Sequence, residues 1–218
     1  AIKLEVECIG INNRNLKTLE INIENFQSLV KKIPKNIFKI CESGIKKKSD
    51  LHFLSLIGAQ AFLIGETFGA LDGQSNYGGY DAFVMKFNSS GVRQWTQQFG
   101  TSENDVVWGS DTDSKGNIYI TGYSEGGLDG NTNSGGRDFF LFKYNMNGTN
   151  SSVRILGSSS DDIGYGVSVD SNDNIYLIAD TEGGIDGFLN SGYSDIFLAK
   201  YNTSLDKVWS LQMGTSNH

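Results

Sequence analysis

Asp113-Ser114-Lys115-Gly116-Asn117-Ile118-Tyr119-Ile120-Thr121-Gly122-Tyr123 is the stretch that decides the fold of most of this chain. It opens as a polar turn in which glycine and asparagine tolerate the positive φ of a tight hairpin, and it continues as a β-branched and aromatic run. At an offset of 57 residues, Asp113, Asn117 and Tyr119 recur as Asp170, Asn174 and Tyr176. The same offset carries Leu71-Asp72-Gly73 onto Leu128-Asp129-Gly130 and Ile185-Asp186-Gly187, Asp81 onto Asp138 and Asp195, and Asp105 onto Asp162. Lys86, Lys143 and Lys200 form another series, and Gly100, Gly157 and Gly214 another. A fixed period of this size signals an array, solenoid or propeller.

Within one period the strand candidates are Val106 to Thr112, Asn117 to Tyr123, Asp138 to Tyr144 and Ser151 to Leu156, each bounded by Gly, Asn, Asp or Ser. Four antiparallel strands per period describe a propeller blade. The longest connection, Glu125 to Arg137, lies between the second and third strands. Asp129, Asn131 and Asn133 alternate along it and Asp138 follows. The glutamate and glycine positions of an EF-hand loop are not met, and Phe188 breaks the series in the next period, so turn-forming Asx chemistry is the preferred reading over calcium. About 2.6 periods fit between residue 69 and residue 218, whereas propellers close with at least four blades. Gly214-Thr215-Ser216-Asn217-His218 matches the opening of a period at Gly100-Thr101-Ser102-Glu103-Asn104, so an incomplete array is expected.

Upstream of the array the composition changes. Residues 1 to 50 carry ten Lys or Arg against six acids and hold both cysteines, Cys8 and Cys41, and the single proline, Pro34; the rest of the chain has a net charge of −11. The cysteines sit in apolar runs without CxxC spacing and read as small buried hydrophobes. The acidic array argues against nucleic acid, Lys46-Lys47-Lys48 is too short to alter that, and no apolar run reaches the ~20 residues of a membrane span. His52 and His218 stand alone, without partners that suggest metal or catalysis.

Val6 to Ile11 is an apolar run that exits into Asn12-Asn13-Arg14-Asn15 and predicts a strand buried on both faces. Phe26, Leu29, Val30 and Ile33 form one helical stripe that Pro34 stops; Ile37 to Cys41 predicts a second strand ending in Glu42-Ser43-Gly44. Ser49 caps a second helix through Leu51, Leu54 and Ile57, and Ala61 to Ile64 predicts a third strand running into Gly65. Strands and helices alternating in this way imply parallel βα units, with chemistry in the loops at the carboxyl ends of the strands.

Ile9-Gly10-Ile11-Asn12-Asn13-Arg14-Asn15-Leu16-Lys17-Thr18, Glu42-Ser43-Gly44-Ile45 and Ala61-Phe62-Leu63-Ile64-Gly65-Glu66-Thr67 together resemble the last part of indole-3-glycerol-phosphate synthase, a tryptophan-biosynthesis lyase. The resemblance covers residues 3 to 68 and implies strands six to eight of a (β/α) TIM barrel, without the first five units. It implies a phosphorylated substrate and ring closure with loss of carbon dioxide, with no metal or organic cofactor. Asn12 and Glu42 match positions that contact the reacting part of the substrate, Arg14 and Ser43 neighbouring substrate positions, and Gly44 and Gly65 backbone positions at the phosphate. Glu66 stands where some relatives place a small hydroxyl residue; glutamate also occurs in the family, but its carboxylate cannot donate to a phosphate. The family's general-acid lysine lies on a strand absent from this chain, so no synthase activity is expected from it alone.

Residues 69 to 218 are similar to the SBBP-type β-propeller repeats, on the stretch from Asp113 to Tyr123 and on Gly136-Arg137-Asp138-Phe139-Phe140-Leu141-Phe142-Lys143-Tyr144. This resemblance implies a binding or scaffolding module of surface or secreted proteins, with a ligand that the residues do not identify. Ser152 departs by replacing the tryptophan found at Trp95 and Trp209, which predicts looser packing of the middle unit. The two resemblances point to different compartments, cytoplasmic for the synthase and exported for the repeats. The fold class expected is therefore mixed: a partial βαβαβ barrel fragment over 1–68, then all-β incomplete propeller blades over 69–218. Carried backwards, the 57-residue register pairs Phe62 with Tyr119 and Gly65 with Gly122. The synthase resemblance also accounts for Ala61, Leu63, Ile64 and Glu66, which puts the join between Thr67 and Leu71. A degraded enzyme, a propeller-type binding module and a join of two pieces without a common function are the readings that remain.

Overall fold

The computed structural model of the chain describes residues 8–12, 38–42, 61–88 and 92–216. These residues are almost entirely β, with one short 3-10 turn at Leu128–Gly130 and no α-helix among them. The helices expected near Phe26 and Leu51 fall outside the described residues. Two compact units divide the chain, one of residues 1–63 with 85–95 and the other of residues 64–84 with 96–218.

In the first unit, strands β1 (Cys8–Asn12) and β2 (Phe38–Glu42) run parallel, from Cys8 opposite Phe38 to Asn12 opposite Glu42. They match the sequence expectation within a residue or two, and their parallel course is what a βα unit requires. The same unit includes Phe62 and Trp95, whose rings lie 5.9 Å apart, with the Lys86 ammonium 5.8 Å from the Phe62 ring.

The repeats form three successive sheets. Strands β3 (Ala61–Thr67), β4 (Asp81–Phe87) and β5 (Arg93–Phe99) make a sheet of three in that order. Strands β6 (Asp105–Thr112), β7 (Ile118–Ser124), β8 (Asp138–Tyr144) and β9 (Asn150–Leu156) make an antiparallel sheet of four. Strands β10 (Asp162–Val169), β11 (Ile175–Thr181), β12 (Asp195–Tyr201) and β13 (Lys207–Met213) make another. The 57-residue offset maps β7 onto β11 and β8 onto β12 residue for residue, and it maps β3 onto β7 as well. Ala61–Thr67, quoted above for its likeness to the last barrel strand, thus also stands in the sheet as the second strand of a blade.

Packing follows from the alternation of side chains along each strand. Tyr119, Phe139 and Leu141 of the second blade are buried against Ile175, Leu177, Ala179, Phe197, Ala199 and Tyr201 of the third, in one continuous core. The Phe139 and Phe197 rings meet at 5.5 Å across this boundary. On the opposite face of the second blade, Phe142 lies 4.3 Å from Phe99 and stacks on Tyr144 at 5.5 Å. Ser152 pairs with Lys143 where Trp209 pairs with Lys200 in the next blade.

The quoted turn is held by Asp113, which accepts from the backbone N–H of Lys115 at 3.0 Å and of Asn117 at 2.9 Å, from Asn117 Nδ2 at 2.6 Å and from the buried Tyr119 hydroxyl at 3.0 Å. Gly116 takes φ +77°, the freedom that the sequence predicts for this turn. Asp170 repeats the arrangement with Asn172, Asn174 and Tyr176, and there Asp173 adopts φ 60° in place of glycine.

Candidate functional site

Two groups of residues carry chemistry. The first is the carboxyl end of the parallel pair, where Asn12 and Glu42 are direct register partners at the last residues of β1 and β2. Adjacent parallel strands bring their C-terminal residues to one edge, which is where βα folds hold their reacting groups. Arg14, Ser43 and Gly44 lie outside the described residues. Gly65 lies within β3, where a Cβ would come 3.1 Å from the Phe83 ring.

The second group is built into each junction between blades. Asp81, Asp105, Asp138, Asp162 and Asp195 all begin strands and are all buried, and in each one the Oδ1 oxygen lacks a hydrogen-bond donor. Their Oδ2 oxygens are engaged. Asp81 Oδ2 accepts from Tyr77 N at 2.8 Å and Gln98 Nε2 at 2.7 Å; Asp195 repeats this with Ser191 N and Gln212 Nε2, both at 2.9 Å. Gly100 lies between Asp81 and Asp105: a Cβ there would approach Asp81 Oδ1 to 2.5 Å and Asp105 Oδ2 to 2.9 Å. A side chain there would have to displace one of the two buried carboxyls.

Asp105 shows what the unpartnered oxygens mean. Thr101 donates to its Oδ2 from the backbone at 2.6 Å and from the hydroxyl at 3.1 Å. Ser124, its cross-strand partner, spends its own proton on the Gly126 carbonyl at 2.8 Å and has none left for Asp105. Burial pushes the Asp105 carboxyl up to about 6 and the negative charge of Asp81 adds to it, while the hydrogen bonds from Thr101 pull the other way. Burial also raises Asp138 and Asp162, Asp138 with a contribution from the charge of Asp162. Thr181 repeats the role of Ser124 by donating to Gly183 O at 2.9 Å.

Beside the first junction is a cleft of about 270 Å³, lined by Tyr77, Phe99, Asp129, Phe142, Tyr144 and Asn150 among others. The Asn150 side chain donates to Asp129 Oδ2 at 3.1 Å. The alternating polar residues of the long loop do not converge. Asn131 Nδ2 donates to Leu128 O at 2.9 Å and Asn133 Nδ2 to Ser124 O at 3.2 Å, as Asx-braced turns require. No group of three or more His, Cys, Asp or Glu residues suited to a metal ion occurs among the described residues.

Sequence reasoning missed one feature. Bulges in β6 and β10 turn Trp108 and Tyr165 outward, 54% and 46% exposed, and their rings meet edge to face at 5.7 Å. The signal was available, since both residues precede glycine and stand 57 apart. No helix among the described residues is long and apolar enough to cross a membrane.

Comparison with known proteins separates the two groups. The family model for indole-3-glycerol phosphate synthase matches residues 1–76, and the β-propeller repeat model matches residues 94–129 and 153–186. The synthase of Caldanaerobacter subterraneus subsp. tengcongensis is 46% identical over 72 residues, which is 33% of this chain and 28% of that protein. That of Thermoanaerobacter sp. (strain X514) is 49% identical over 69 residues, 31% of this chain and 26% of the relative. That of Sulfurisphaera tokodaii is 48% identical over 67 residues, 31% and 27%. The chain thus spans just over a quarter of the length of the curated relatives it matches, and the first match runs through β3 into the loop beyond it.

Proposed function

We propose that the chain acts through its repeats, as a binding or scaffolding module, and has no ring-closing activity of its own. The observation that supports this best is the contrast between the two groups. The blades share a closed core and present an aromatic-lined cleft, whereas Asn12 and Glu42 are the only pair of the synthase-like residues brought side by side among the described ones. In this reading residues 1–68 match strands six to eight of a TIM barrel in sequence, with the sequence join between Thr67 and Leu71, and Ala61–Thr67 is taken into the first blade, where it pairs with β4. By the synthase resemblance Asn12 and Glu42 correspond to substrate-contacting positions, Arg14 and Ser43 to neighbouring ones, and Gly44 and Gly65 to the positions at the phosphate of a phosphorylated substrate. Acid-base chemistry requires groups within hydrogen-bond reach of the reacting atoms, and the general-acid lysine implied by the synthase resemblance belongs to a strand earlier than those that residues 1–68 match. Tryptophan-auxotroph complementation tests the proposal. A strain lacking the synthase and expressing this chain is expected not to grow without tryptophan, and growth would show that the segment suffices for catalysis.

A further inference from the structure

The cleft beside the first junction lies at a position where the three blades differ. Asp72, Asp129 and Asp186 recur there at the 57-residue offset, with φ of 52°, 52° and 57°. The same offset relates Arg93, Asn150 and Lys207, and it relates Thr96, Val153 and Ser210. In the third blade Lys207 forms an ion pair with the Asp186 carboxylate, to which the Ser210 hydroxyl also donates at 2.7 Å. In the first, the Thr96 hydroxyl donates to Asp72 Oδ2 at 2.7 Å. The middle blade has neither device, because Asn150 is neutral and Val153 has no hydroxyl. The Asp129 side chain is left with the hydrogen bond from Asn150 Nδ2 at 3.1 Å, and no cation pairs with it among the described residues.

This is also where the chain leaves room. Asp129 and Asn150 are exposed at the rim of the cleft, and the buried rings of Phe99, Phe142 and Tyr144 form its wall. At the next junction Leu156 and Ala199 stand in place of Phe99 and Phe142. Burial raises the Tyr144 phenol and the charge of Asp129 adds to it, so the field of the carboxylate reaches the aromatic wall. All of these residues belong to the second compact unit, and the cleft lies inside the array, with Phe99 on the first sheet and Phe142 and Tyr144 on the second. Resting on the reading of the repeats as a binding module, we propose that the cleft takes a primary ammonium group on an alkyl stem. The ammonium supplies to Asp129 the charge that Lys207 supplies to Asp186, and the methylenes lie along the rings, which favour a nearby cation as well. A lysine side chain and a free alkylamine share this chemistry.

Amide chemical-shift titration of the full chain with Nα-acetyl-lysine amide and with n-butylamine tests this. Nα-acetyl-norleucine amide, which has the stem without the charge, is the control. The amines are expected to give saturable shifts at Asp129, Gly130 and Asn150 with a Kd of about 1 mM or below, and the tighter of the two identifies the source as a polypeptide or a free amine. Asp129→Asn, whose side chain tolerates a positive φ, is expected to weaken binding by about tenfold or more. Asn150→Lys rebuilds the ion pair of the third blade, and it is expected to abolish the shifts while keeping the β circular-dichroism spectrum of the parent. Absence of saturable shifts with both amines, equal binding of the norleucine control, or an Asn150→Lys chain that binds like the parent would overturn the proposal. Failure of the broader reading shows separately, as growth of the tryptophan auxotroph.

Discussion

Single atoms in the repeats set residue types that the 57-residue offset does not: the next period has Ala179 where the second blade has Gly122. Gly122 packs so closely on β6 that a Cβ would lie 1.8 Å from the Val106 carbonyl oxygen, a backbone atom that cannot step aside. Gly122→Ala is expected to cost about 3 kcal/mol, at the upper end for an overpacked core, read as a lowered denaturant midpoint with an unchanged slope. Asp105 makes a prediction of opposite sign. Its carboxyl holds a proton to about pH 6 in the folded chain against 3.8 when unfolded. The stability it contributes is therefore complete below pH 3.8 and lost as pH rises through 6. Asp105→Asn imitates the protonated form and can still accept from Thr101. It is expected to exceed the parent by about 2 kcal/mol at pH 8 and to show no gain at pH 4, as urea titrations at the two values would reveal. A variant less stable than the parent at pH 8 would mean that the carboxylate is satisfied after all. The recurrence of Asp105 and Gly100 was legible in the sequence, but the closure of one onto the other was not, because contact across a blade junction leaves no local pattern.

At the scale of elements, the turn between the first two strands of a blade depends on one carboxylate. Asp113→Ala removes four hydrogen bonds and leaves the Tyr119 hydroxyl buried without an acceptor. A cost of about 2–3 kcal/mol is expected, largely from that orphaned hydroxyl, and Tyr119→Phe in the same background should recover part of it in thermal melts. The strands were readable because apolar runs bounded by Gly, Asn and Asp fix their ends within a residue or two. β8 was expected at Asp138 to Tyr144 and is found there. The outward turn of Trp108 and Tyr165 was not read, since a bulge changes side-chain direction without disturbing composition. Ala61–Thr67 is the instructive case. Its apolar residues and its glycine satisfy both a barrel strand and the second strand of a blade, so sequence pattern alone cannot say which sheet it joins, and the structure pairs it with β4.

For the whole molecule, the period predicts stacked units, because each 57-residue unit must bury its faces on its neighbours, and three successive sheets are found. The synthase-like motifs were equally legible, and Asn12 and Glu42 come side by side as register partners. The central claim is that Ala61–Thr67 belongs to the folded array, so that one strand carries the sequence of the first piece and the structure of the second. Hydrogen exchange on the intact chain tests this most directly. The amides of Ala61–Thr67 are predicted to be protected together with those of Asp81–Phe87 and to open with them as denaturant is added. Rapid exchange through Ala61–Thr67 while Asp81–Phe87 and Arg93–Phe99 remain protected would contradict it.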